Sequence, residues 1–168
     1  MRTIRTITFL ACIAGCGGGR DASSLREAVD QSRVRISDMV SVAEGSMPSG
    51  RAITAKLRID GDTPIYAYGT LGTGTMHDVR IETIAGSIVS SLETGRGSDS
   101  CPDSISLTEA IGIAEAAVVG GTVIAAIPDD DVACAREIQV LDPSRLMEVK
   151  VGGDGAVLEL EESDETED

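Results

Sequence analysis

An internal repeat constrains the fold of this chain most, because one helix and then four strands follow one another twice in the same order. Apolar residues recur with the spacing of one helical face over residues 36–47, with Ser37 able to cap the start. The same spacing recurs 71 residues later, over residues 107–118. Ser106 and Glu109 open this second helix as a capping box, in which each side chain satisfies the other residue's free backbone amide.

After each predicted helix, the pattern changes to the period of two that strands show when one face is buried. We expect a loose, glycine-rich connection at 69–75 and turns at 60–62, 85–86, 129–131, 142–143 and 154–155. The predicted fold class is α+β, with two tandem units, each made of one helix packed on a small antiparallel sheet. The units cover residues 35–92 and 104–162, with 93–103 as the linker. Because about 58 residues are marginal alone, we expect the units to pack on each other.

The N-terminus has the pattern of an export signal. Two arginines precede an apolar run over residues 7–14, which is too short to span a bilayer, since a span needs about 20 apolar residues. The run ends in Ile13-Ala14-Gly15-Cys16, which resembles the lipobox of bacterial lipoproteins, where the cysteine receives lipid after cleavage. The resemblance implies a signal peptide over 1–15, a lipid anchor at Cys16 and a tether over 16–34.

Two further points concern this anchor. Gly17, rather than Asp, follows Cys16, which by analogy favours the outer membrane in an organism that has one. The alternative to a lipoprotein is an ordinary cleaved signal in which Cys16 is incidental. Either way, the pattern predicts that the chain is exported.

The charge of the chain argues against a nucleic acid as partner, because 28 acidic and 14 basic side chains give a net charge of -14. Residues 163–168 are predicted to be a disordered acidic tail, with calcium binding as the alternative. The lone histidine, His77, has Asp78 beside it on a strand, where neighbours point to opposite faces and cannot form a dyad. The sequence also contains no tryptophan. We therefore expect no enzyme activity and no cofactor.

Export also bears on Cys101 and Cys134, the two cysteines that follow Cys16. In an oxidising envelope, an even pair of cysteines is more often a disulfide than a pair of catalytic thiols. No CxxC motif favours a metal or redox site. A bridge between Cys101 and Cys134 would tie the start of the second helix to one strand.

Several short motifs resemble those of PepSY domains. In the second copy the matching residues are Ile105-Ser106, Ala114-Glu115, Gly120-Gly121, Glu148-Val149-Lys150-Val151 and Asp154-Gly155-Ala156-Val157-Leu158. The first copy matches more loosely, through Ile36-Ser37, Ala43-Glu44, Pro48-Ser49-Gly50, Asp60-Gly61, Asp78-Val79-Arg80-Ile81 and Gly86-Ser87-Ile88-Val89. The resemblance implies a helix laid across one face of an antiparallel sheet. Because PepSY domains occur within the propeptides of secreted metallopeptidases, it also implies the holding or inhibition of a peptidase.

Tyr66 and Tyr68 are the best candidates for a partner contact. They lie two residues apart on one strand and so share a face, where exposed tyrosines form rigid contacts at interfaces. Packing in the core is the alternative. We expect a non-enzymatic, lipid-anchored envelope protein that binds a protein or peptide partner, with an exposed edge strand as one physical route. The alternative function is the sensing of a divalent cation or another ligand by the acidic surface.

Overall fold

The computed structural model describes residues 22–163, which form three helices and one eight-stranded antiparallel sheet. The helices are α1 (Ala22–Gln31), α2 (Ile36–Gly45) and α3 (Leu107–Ala117). The strands are β1 (Arg51–Asp60), β2 (Thr63–Leu71), β3 (Thr75–Glu82), β4 (Ile88–Arg96), β5 (Thr122–Pro128), β6 (Arg136–Leu141), β7 (Leu146–Val151) and β8 (Val157–Glu162). The predicted signal peptide, Cys16 and residues 164–168 of the predicted tail lie outside the described residues. No helix between residues 22 and 163 is long and apolar enough to cross a membrane.

The two halves of the chain share one sheet, with its strands in the order β4-β3-β2-β1-β5-β6-β7-β8. β1 and β5 join the halves as an antiparallel pair, in which Ala55 lies opposite Ala126 and Lys56 lies opposite Ala125. The α+β class is confirmed, whereas the prediction of two units with separate sheets is wrong. Separate sheets would leave the inner edges of β1 and β5 unpaired, and the two residue pairs that join these edges satisfy part of their backbone groups.

The helices and the sheet enclose a single apolar core. α2 and α3 each bury an apolar stripe, made of Ile36, Val40 and Ala43 on α2 and of Leu107, Ala110, Ile111 and Ala114 on α3. The strand residues beneath them include Ala55, Leu57, Val79, Ile81, Ile138, Val140 and Val149. These residues alternate along their strands, as the period of two predicts. We call this side of the sheet the helix face and the opposite side the open face.

The predicted caps of α2 and α3 differ in outcome. At α3, the Ser106 hydroxyl accepts from the Glu109 amide at 3.2 Å, and the Glu109 carboxylate accepts from the Ser106 amide at 2.9 Å. The predicted capping box is therefore confirmed, and its hydrogen bonds lower the pKa of Glu109. At α2, Arg35 occupies the cap position and its side chain makes no capping hydrogen bond. The prediction that Ser37 caps α2 is wrong, because the helix begins at Ile36 and Ser37 lies inside its first turn.

α1 lies within the segment that the sequence pattern assigned to a tether. Leu25 and Ala28 of α1 are 6% and 3% exposed and belong to the core. Arg26 Nη1 donates to the backbone carbonyl of Asp142 at 2.7 Å, on the connection between β6 and β7. The tether prediction is therefore wrong for residues 22–34, because an apolar stripe with helical spacing packs this segment against the sheet.

Two other connections are shorter than predicted. β2 and β3 extend into the connection predicted at 69–75 and leave a tight turn between them. β4 continues to Arg96, so the first part of the linker predicted at 93–103 belongs to the sheet. The rest of this linker is held in place by an ion pair between Arg51 and Asp99. Backbone pairing therefore continues through residues that glycine content alone assigned to loops.

Candidate partner-binding edge

The two tyrosines that were predicted to contact a partner lie in the core. Tyr66 is 3% exposed and Tyr68 is 0% exposed, because the face of β2 that carries them packs beneath α2. Their hydroxyl groups donate to backbone carbonyls near the start of α2, Tyr66 to Val34 at 2.8 Å and Tyr68 to Ile36 at 2.7 Å. Burial raises the pKa of both phenols. The partner-contact prediction is wrong, and the alternative of core packing is confirmed.

The structure contains the predicted disulfide between Cys101 and Cys134. The two Cα atoms are 5.5 Å apart, which is within the range that a disulfide spans. The bridge joins the segment between β4 and α3 to the connection between β5 and β6. It therefore fastens the connection between the two halves to the second half of the sheet.

His77 and Asp78, which the sequence places side by side, and Asp129, in the acidic turn at 129–131, have structural partners. His77 Nε2 lies 3.2 Å from the hydroxyl of a threonine two residues away on β3, and Asp78 pairs with Arg80 of the same strand at 3.0 Å. Asp129 accepts hydrogen bonds from two amides of its own turn and pairs with Lys150 at 2.9 Å. Between residues 22 and 163, no group of three or more His, Cys, Asp or Glu side chains is placed to hold a metal ion.

β8 is an outer strand of the sheet, and β7 is its neighbour. All six residues of β8 are exposed. Leu160 lies opposite the buried Val149 and so points to the helix face, while Glu159 and Glu161 alternate with it and point to the open face. The outer edge of β8 thus combines backbone groups available for pairing with an acidic row, Glu159 and Glu161, on the open face. On the helix face, Leu160 is followed by Glu162, which is paired with Arg145 at 3.2 Å.

The acidic row of β8 is only partly compensated by cations. Lys150 Nζ lies 3.5 Å from Glu159 but 2.9 Å from Asp129, so one cation serves two carboxylates. The hydrogen bond to Asp129 is the largest reason that the pKa of Lys150 is raised, and Glu159 adds to it. Glu161 lies opposite Glu148 of β7, which places two like charges side by side. The edge therefore retains negative charge that a cationic partner would neutralise.

The other outer strand, β4, is less suited to docking. It exposes Val89 and Leu92, at 64% and 60%, but it contains a single acid, Glu93. Two bulges interrupt its pairing with β3. Bulges twist an edge away from regular pairing and are one way in which proteins protect exposed edges. β8, with one irregularity near its start, offers the more regular edge.

The sequence pattern predicted the last strand but did not identify it as a docking surface. After the turn at 154–155, the sequence predicts a last strand over residues 156–160, which nearly coincides with β8 (Val157–Glu162). The signal that was available is three glutamates in a strand of six residues that contains no basic residue. Because a strand flanked on both sides would bury some of those glutamates, this composition favours an edge position.

The comparisons with known proteins add little to this geometry. No family model matches the chain, so its likeness to PepSY domains rests on short motifs. The search of curated proteins gives no match either. Among solved structures, the chain is similar to a putative lipoprotein from Clostridium difficile 630, with 16% identity and a TM-score of 0.47, over 79% of this chain and 95% of that one. A similarity of this size carries no argument about function.

Proposed function

We propose that this chain is a non-enzymatic, lipid-anchored protein of the cell envelope, in which β8 binds an extended segment of a partner by adding it to the sheet. The observation that carries the proposal is an outer strand whose residues are all exposed and are all either apolar or acidic, with Glu159 and Glu161 together on one face. In strand addition, backbone hydrogen bonds supply affinity and side-chain pairs supply selectivity. The support for a lipid anchor at Cys16 is the sequence of the N-terminus. Gly17 after Cys16 also supports a location in the outer membrane, in an organism that has one.

The side chains of β8 define the chemistry of the partner segment. In an added strand, one set of alternate side chains would lie beside Leu160 and Glu162, and the other set beside Glu159 and Glu161. Val157 and Leu160 are 46% and 47% exposed, so an apolar neighbour would remove apolar surface from water. A segment with apolar residues on one face and Lys or Arg on the other suits both faces of β8.

A secreted peptidase is the first partner class to test. The support for it is the resemblance of the motifs to PepSY domains, which occur in peptidase propeptides, and that support is an analogy between families. On this proposal, the chain holds a strand-forming segment of the peptidase and lowers its activity. Binding of the segment and inhibition of the peptidase are separate claims and need separate measurements.

The test of strand addition is the binding of synthetic peptides to the full chain and to two variants. Glu161→Lys changes the acidic row of β8, and Glu93→Lys makes the same charge reversal on β4 as a matched control. Glu161 belongs to none of the ion pairs found between residues 22 and 163, so its reversal leaves those pairs intact. We expect the unmodified chain to bind a peptide that alternates Val with Lys, but not one that alternates Val with Glu.

The expected effect follows from the strength of cross-strand charge pairs. Opposite charges across a strand pair contribute about 0.2–1 kcal/mol, so turning attraction into repulsion should weaken binding about 2- to 30-fold. Glu93→Lys should bind as the unmodified chain does, and a loss equal to that of Glu161→Lys would refute the assignment to β8. If neither peptide binds to the unmodified chain, strand addition is refuted. If a captured peptidase keeps its full activity, the claim of inhibition is contradicted, whereas the claim of binding is not.

A further inference from the structure

A cavity of about 280 Å³ lies beside the disulfide, where β1, β6 and the segment before α3 meet. Apolar groups form much of its wall, namely Ile53, Pro128, Ala133, Ala135 and the Cys101–Cys134 bridge. One basic side chain, Arg136, and two acidic side chains, Asp99 and Asp129, complete the charged part of the lining. The cavity thus combines a small apolar space with few charges.

Arg136 is a buried cation without a carboxylate in direct contact. It is 7% exposed and occupies the first position of β6. Its Nη1 donates to the backbone carbonyl of Ile53 at 2.7 Å, and no ion pair joins it to another described residue. Burial lowers the pKa of Arg136, and the charge of Arg51 lowers it further, yet a guanidinium stays protonated in proteins. Because a guanidinium has five N–H groups, donors remain for a ligand.

The two acids of the cavity are engaged elsewhere. Asp99 forms an ion pair with Arg51 and accepts a hydrogen bond from the Cys101 amide at 2.9 Å. Asp129 is bound by Lys150 at 2.9 Å and by amides of its own turn. Asp99 acts on Arg136 only from a distance. The charge of Arg136 is therefore not neutralised by contact with either acid.

We propose that this cavity binds a carboxylate that carries a small apolar group, with Arg136 as its anchor. A guanidinium recognises a carboxylate through two parallel hydrogen bonds, because the two planar groups match in geometry. Burial of an unpaired charge destabilises a protein, and a bound carboxylate would offset that cost. The apolar walls favour a ligand such as the C-terminal residue of a peptide or a short free acid. The proposal is independent of strand addition at β8.

The test is calorimetric titration of the full chain at constant ionic strength with two acids and two controls. N-acetylalanine imitates the end of a peptide, and propionate imitates a free acid. The controls are the neutral amide of N-acetylalanine and inorganic phosphate. We expect at least one of the two acids to bind and the amide not to bind. Preference for N-acetylalanine would indicate a peptide end, and preference for propionate a free acid.

Three variants separate Arg136 from general charge and from folding. Arg136→Gln should weaken binding at least tenfold, since truncating one partner of a buried charge pair has a large effect on affinity. Arg145→Gln makes the same charge change at an exposed arginine and should bind as the unmodified chain does. Ala133→Phe keeps Arg136 and places a large side chain at the exposed rim of the cavity, so it tests the site even if Arg136→Gln misfolds, and it should weaken binding.

Four results would overturn the proposal. The first is that neither acid binds, and the second is that the amide binds as tightly as its acid. The third is that Ala133→Phe, or a folded Arg136→Gln, binds as the unmodified chain does. The fourth is that phosphate binds more tightly than both acids, because the planar match with a carboxylate would then not decide the affinity.

Discussion

The disulfide allows a quantitative test of how the connection between the halves stabilises the fold. Replacing both cysteines, as Cys101→Ser with Cys134→Ser, opens a loop of 33 residues that contains α3 and β5. For a loop of this length, the chain-entropy relation gives about 12.5 cal/mol/K, or about 3.7 kcal/mol at 25 °C. The ion pair of Arg51 with Asp99 still holds the segment in the variant. We therefore expect a folded variant whose free energy of unfolding is lower by about 3 to 4 kcal/mol.

Equilibrium unfolding in urea measures this difference. We also expect a steeper dependence on urea in the variant, because its unfolded chain lacks the cross-link and exposes more surface. Reduction is the control: the reduced unmodified chain should match the variant, and reductant should leave the variant unchanged. A loss below about 1 kcal/mol, with the same urea dependence, would refute the reasoning, since the bridge would then constrain the unfolded chain very little.

Two further predictions test single hydrogen-bonded groups. Tyr68→Phe removes the hydroxyl that donates to the Ile36 carbonyl at 2.7 Å in the core, so urea unfolding should show a loss of about 1 kcal/mol, and no loss would contradict this role. The Ser144 and Arg145 amides hold the pKa of Asp142 below its ordinary 3.8, at about 2. A lowered folded-state pKa gives stability that is present above about pH 4 and lost as the pH falls toward 2. The melting temperature of Asp142→Asn should therefore decrease less than that of the unmodified chain between about pH 4 and pH 2. An equal decrease in both proteins would contradict this role of Asp142.

The local periods of the sequence predict most elements but not the way in which they join. Apolar residues recur with a period of 3.6 in a helix, or of 2 in a strand, when one side of that element is buried. This pattern is local, so α2, α3 and most strands can be predicted from it. The pairing of β1 with β5 depends instead on contacts between distant parts of the chain. Ala55 and Ala126, which meet there, are small apolar residues that carry no signal for a particular partner strand. α1 escapes prediction because its stripe, around Leu25 and Ala28, is short and lies among polar residues.

The candidate site shows the same limit. A spacing of two places Tyr66 and Tyr68 on one face of a strand, but it does not say which face α2 will cover. The disulfide of Cys101 with Cys134 is predictable, because an oxidising envelope and an even pair of cysteines are enough to favour it. The burial of Arg136 has no counterpart in the sequence. An arginine at the start of a strand is usually exposed, whereas Arg136 is 7% exposed and lines a cavity together with the distant segment around Cys101.

The joining of the halves also decides which surfaces remain for a partner. Two separate sheets would have four outer edges, and the pairing of β1 with β5 leaves only those of β4 and β8 between residues 22 and 163. If β8 paired antiparallel with β8 of a second copy, the glutamates at 159, 161 and 162 of each copy would be brought together, so like charges oppose that pairing. On the proposal of strand addition, the same charges would attract a basic segment. The acids of β8 would therefore both protect an exposed edge from self-association and select the partner that is allowed to cover it.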